Sequence, residues 1–69
     1  MKQIKISLAA ARVNAGLTQE DVAKLMKVSK NTIIAWEKGT TEPKISQAKE
    51  LSVIYNIPLD YIFLPCASN

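Results

Sequence analysis

Lys30, Asn31, Ile34 and Ala35 are the side chains best suited to chemistry with a partner. A lysine ammonium can donate to guanine O6 and N7, and an asparagine amide matches the N7 acceptor and N6 donor of adenine. Apolar groups such as Ile34 and Ala35 can meet a thymine methyl. At helical spacing these four residues share one side of a segment, while Ile33, Trp36 and Glu37 share the other. Ile34 lies off the Ile33–Trp36 face and should be partly exposed. Isolated exposed isoleucines are common, so it also fits an ordinary surface position.

Groups suited to phosphate flank these four. Gln19 opens the preceding helical segment, whose first amides carry a partial positive charge. Lys38, Thr40, Thr41 and Lys44 follow the reading segment and could grip the same strand. Lys24, Lys27, Lys30, Lys38, Lys44 and Lys49 have only Glu37 and Glu42 among them, a local surplus of four positive charges. The whole 69-residue chain carries a net +3, too mild to imply nucleic acid by itself.

Two short helices must position this set. Thr18 and Ser29 are helix-starting residues whose oxygens accept from first-turn amides. Asp21, three after Thr18, makes a capping box with Asp in place of the usual Glu or Gln. The segments run Thr18–Met26 and about Lys30–Lys38, with Lys27, Val28 and Ser29 between. So short a corner makes the axes cross steeply and projects the second helix. Val22, Ala23 and Met26 face inward, and Gly39 closes the second helix.

Around this core of residues 18–38 the spacing predicts three more helices. One runs Leu8–Ala15, capped by Ser7 and ended by Gly16, with Leu8, Ala11 and Ala15 on one face. Another runs from Lys44 or Ile45 to Tyr55, with Ile45, Ala48, Leu51 and Tyr55 inward and Asn56 as a left-handed cap. A short fifth covers Leu59 to about Phe63 and stops at Pro65. Residues 1–6 and 65–69 read as loose ends. The result is one all-α domain, 1–69, of five short helices.

Arg12 shares the face of Leu8 and Ala15, and Glu37 points inward with Ile33, so the two should pair and fix the first helix against the third. Leu59, Ile62, Phe63 and Leu64 give the C-terminal end more apolar surface than so small a fold needs. Part must cap the core, and the remainder could form an isologous dimer patch. One cysteine, Cys66, and no histidine provide neither an internal disulfide nor a metal cage, so no cofactor or metal is expected. No apolar run reaches membrane-spanning length, and the N-terminus lacks a signal-peptide core, which fits a cytoplasmic protein. There is no histidine, no nucleophile beside a base and no glycine-rich phosphate loop, so enzymatic activity is not expected.

ARVNAGLTQEDVAKLM, VSKNTIIAWEKGTTEPK and IPLDYIFLP together resemble the helix-turn-helix domain of phage Cro and repressor proteins, the XRE family. The resemblance covers about Leu8 to Leu64. It implies a lambda-repressor-like fold, with Ser29, Lys30, Asn31, Ile34 and Ala35 facing bases. Gln19, Thr32, Lys38, Thr40 and Lys44 would lie at the phosphate backbone, and Arg12 and Glu37 match paired positions. Lys27 stands where the family has glycine, so a left-handed lysine or a reshaped corner is expected. Ala35 is short for a base reader. The reading that follows is a sequence-specific regulator of transcription, a stand-alone Cro-like phage or prophage repressor binding a palindromic double-stranded operator as a homodimer. The competing reading is a protein-binding adaptor or antitoxin-like module on the same fold.

Overall fold

The computed structural model describes residues 5–63, the side chain of Phe63 excepted. Four helices, α1 (Leu8–Asn14), α2 (Gln19–Met26), α3 (Lys30–Lys38) and α4 (Ile45–Tyr55), are bracketed by two-residue strands, β1 (Ile6–Ser7) and β2 (Ile62–Phe63). A single 3₁₀ turn, Leu59–Tyr61, leads into β2.

Local chemistry sets most boundaries. Ser7 Oγ accepts from the Ala10 amide at 3.0 Å to begin α1. Thr18 Oγ1 accepts from the Asp21 amide, and Asp21 Oδ2 accepts from the Thr18 amide at 2.9 Å, so the shorter acid completes the capping box. These bonds hold the Asp21 carboxyl below its ordinary value. Ser29 Oγ accepts from the Thr32 amide to begin α3. α4 begins differently: its N-cap is Lys44, whose amide donates to Gln47 Oε1 at 2.9 Å.

Three helices end on left-handed residues. Lys27 (φ 60°, ψ 43°) closes α2, and the Val28 amide donates back to the Ala23 carbonyl at 3.0 Å. Of the two outcomes expected there, the corner is closed by a left-handed lysine. Gly39 and Asn56 close α3 and α4 in the same way.

The core joins Leu8, Ala11, Val22, Ala23, Met26, Ile33, Trp36, Leu51, Tyr55 and Ile62. Ala48 is buried too, but Ile45 is 75 % exposed, contrary to the inward stripe expected of it. At 100° per residue, Ile45 sits roughly a quarter turn from the arc centred on Ala48, Leu51 and Tyr55.

The expected fifth helix does not form. After one 3₁₀ turn, Ile62 turns extended (φ −102°, ψ 128°) and pairs in parallel with Ile6, as Phe63 does with Ser7. Five residues are too few to offset helix nucleation, whereas pairing gives the backbone partners at once. Ile62, 3 % exposed, closes the core and is not a docking residue of the folded chain. Leu59 is half-buried. Leu64, Cys66 and the side chain of Phe63 lie outside the described residues, as do residues 1–4 and 65–69.

Candidate nucleic-acid interface

α3 is held by its inner side. Ile33 and Trp36 are buried, and Ala23 on α2 is small where the two helices meet. With Ile33 and Trp36 anchored, Lys30 and Asn31 are left exposed on the first turn, Ile34 and Ala35 are half-buried one turn on, and Lys38 is exposed at the end. Of the five residues expected to face bases, Lys30, Asn31, Ile34 and Ala35 thus form a polar start and an apolar continuation along one side.

Hydrogen bonding narrows the remaining candidates. Ser29 Oγ accepts from the Thr32 amide at 3.2 Å and lies 3.0 Å from Thr32 Oγ1. One hydroxyl of that pair donates to the other, so the two residues keep a single hydroxyl hydrogen for any partner. Thr40 has none. Its amide and its hydroxyl both donate to the Ala35 carbonyl, at 3.0 and 3.3 Å. As the side chain stands, Thr40 caps the end of α3. Lys38, Thr41 and Lys44 are exposed around the loop, and buried Pro43 anchors it.

Behind α3 lies a polar node. Arg12 Nε donates to Glu37 Oε2 at 2.7 Å, with Nη2 a longer 3.5 Å from Oε1. Arg12 Nη1 also donates to the Leu17 carbonyl at 3.0 Å. The two charged side chains are 15 % and 8 % exposed. Gln19 Nε2 donates to Glu37 Oε1 at 3.0 Å. Tyr55 of α4 borders the same node: burial first, then the Glu37 charge, pushes its hydroxyl up to about 12. Each helix therefore contributes one side chain here. Sequence reasoning paired Arg12 with Glu37 but missed the Gln19 bond and Tyr55. A signal existed, because a half-buried carboxylate has more lone pairs than one guanidinium fills.

At the other end, Ser52, Val53, Asn56, Ile57 and Pro58 line an open groove of about 310 Å³. Val53 is 79 % and Tyr61 49 % exposed. Among the described residues no cluster of potential metal ligands occurs, and no helix is long and apolar enough to cross a membrane.

A capped helix, a tight left-handed corner and a second helix with an exposed polar first turn define a helix-turn-helix domain. The helix-turn-helix family model matches residues 8–62, and the chain belongs to that family. It is 44 % identical over 48 residues to the cryptic phage CTXphi transcriptional repressor RstR of Vibrio cholerae. That match covers 70 % of this chain and 43 % of the repressor, so the chain spans less than half the length of that relative. It is 38 % identical over 61 residues to an HTH-type transcriptional regulator of Methanocaldococcus jannaschii, covering 88 % of this chain and 92 % of the relative. A regulator of Archaeoglobus fulgidus is 32 % identical over 53 residues, covering 77 % and 76 %. No solved structure matches the chain.

Proposed function

We propose that this protein is a sequence-specific double-stranded DNA-binding repressor of transcription in the cytoplasm. The observation that carries it is the start of α3. Lys30 and Asn31 stand exposed on a helix whose opposite face is buried, and among the described residues their side chains make no hydrogen bond. A helix so presented fits the major groove with its N-terminal residues at base edges. Ile34 and Ala35 supply apolar contact to a thymine methyl. Lys38 and Lys44, with Gln19 at the start of α2, hold the phosphate backbone. The phage transcriptional repressor among the relatives supports the phage-repressor part of this reading.

Two copies bind a partly palindromic operator, their reading helices about 34 Å apart in successive grooves. With Ile62 in the core, half-buried Leu59 remains from the expected patch, and exposed Val53 and Tyr61 are further apolar candidates for contact with a second copy.

Selection of bound duplexes from a random pool tests the reading. It should return a motif with two-fold symmetry, and binding should weaken steeply with salt. No enriched motif, together with no salt dependence on random duplex, would favour a protein-binding adaptor with the Ile34 side as its docking face.

A further inference from the structure

Half-buried apolar side chains in this molecule mostly lean on its core, as Leu17, Val28 and Ile57 do. Ile34 and Ala35 are half-buried without belonging to that group. At 100° per residue each lies about 130° from the arc centred on buried Ile33 and Trp36, one on either side of the outermost line of α3. Asn31 stands one turn before Ala35, and Lys38 one turn after Ile34. The Ala35 carbonyl takes three donors, from the Gly39 amide at 2.9 Å, the Thr40 amide at 3.0 Å and Thr40 Oγ1 at 3.3 Å. Between Asn31 and Lys38 the outer side of α3 is therefore hydrocarbon, with no side-chain donor or acceptor of its own. In the major groove thymine and cytosine differ in two ways. Thymine carries an O4 acceptor and a 5-methyl group, whereas cytosine carries an N4 donor and a hydrogen at C5. A surface without hydrogen-bonding groups senses only the methyl.

We propose that Ile34 and Ala35 form a specificity site for a 5-methylpyrimidine, which reads the methyl group and not the base that carries it. The proposal rests on the duplex-binding reading above and deepens it. At one base pair of each half-site, 5-methylcytosine is then equivalent to thymine, and uracil is equivalent to cytosine. Methylation of a cytosine at C5 turns a base pair that this helix ignores into one that it holds.

The probe is the duplex returned by selection, altered in one half-site at the base pair whose preference relaxes in Ile34→Ala. Circular dichroism confirms that each variant is folded at the temperature used. Replacing thymine by uracil removes one methyl and nothing else, and should weaken binding about threefold to fivefold, the scale of one buried carbon. Cytosine at that position should bind as uracil does, and 5-methylcytosine should recover most of the loss. The spread among the four duplexes should shrink in Ile34→Ala, whereas Lys30→Ala should weaken all four and keep their order. Should Ile34→Ala fail to fold, Ile34→Val locates the position and should shrink the spread by a smaller step. Uracil that binds as tightly as thymine overturns the proposal alone, as does a base pair that relaxes in Ile34→Ala without being thymine, or no relaxation at all. So does 5-methylcytosine that binds as weakly as cytosine, which would mean that a donor such as Lys38 reads O4. Wild-type protein that enriches no motif overturns the functional reading and this proposal together.

Discussion

On the outer side of α3, Lys30 and Asn31 are exposed and make no side-chain hydrogen bond among the described residues. On its inner side, Glu37 receives three, from Arg12 Nε, Arg12 Nη2 and Gln19 Nε2. Both sets are polar and lie on the same nine-residue helix. The difference separates recognition from construction. A polar group satisfied within the chain stabilises the fold, whereas one left open has its bonding capacity in reserve for a partner. Thr40 shows why the distinction matters: its residue type suits phosphate, but both of its donors already serve the Ala35 carbonyl.

The sharpest way to break this comparison is to cut into the inner side. Ile33, 1 % exposed, meets α2 and the rest of the core. Ile33→Ala should lower unfolding free energy by about 2–5 kcal/mol in a urea titration, a large fraction of what so small a domain has. A loss under 1 kcal/mol would mean that α3 is not anchored there. The outer side should behave in the opposite sense. Lys30→Ala or Asn31→Ala should each cost about 1–3 kcal/mol at the selected site and relax one base position. The same variants should leave the urea midpoint nearly unchanged, since exposed substitutions away from caps stay within roughly 0.5 kcal/mol. Undiminished sequence preference in the double variant would remove both residues from the reading set.

A smaller effect is expected at the corner between the two helices. Lys27 holds φ 60°, which costs a side-chain-bearing residue about 1 kcal/mol relative to glycine. Lys27→Gly should therefore stabilise the fold by up to about that amount, part being offset by the greater freedom of glycine in the unfolded chain. A destabilised Lys27→Gly would show that the lysine side chain makes up for its backbone. The smallest effect concerns acid. Asp21 has its pKa lowered by the bonds to Thr18, so its contribution is present above the ordinary value of 3.8 and is lost as pH falls through the lower folded value. Asp21→Asn should flatten that part of the stability-versus-pH curve below pH 3.8. An unchanged curve would place the acid sensitivity elsewhere.

How much was legible in the sequence follows the range of the interactions. Ser7, Thr18 and Ser29 as caps, Lys27, Gly39 and Asn56 as left-handed ends, and the α2–α3 corner depend on neighbours a few residues away. Residue type and spacing suffice for those, except at Lys27, where only the resemblance pointed to a left-handed lysine or a reshaped corner. The Arg12–Glu37 pair was accessible because helical phase put both on inward faces. What escaped depends on contacts between distant segments. Ile62 and Phe63 resemble a helix continuation in isolation, and only Ile6 and Ser7 lying alongside makes them a strand. Gln19 suits phosphate by type and place, but its bond to Glu37, eighteen residues on, is not visible in local spacing. Ile45 looked inward by spacing, but the arc that α4 buries is set by neighbours that the spacing does not reveal. Of the four C-terminal apolar residues, spacing did not say which one caps the core; it is Ile62.

The parallel sense of the β1–β2 pair has a mechanical consequence. The chain enters the fold through Ile6 and leaves through Phe63, and the two strands run in the same direction. Tension applied at these two points pulls the strands lengthwise past each other, loading their cross-links in shear together. An antiparallel pair pulled by adjacent ends would instead peel one link at a time. Two residues per strand thus form a clasp that resists stretching along the chain better than its length suggests, and it must slip before the helices behind it bear the load.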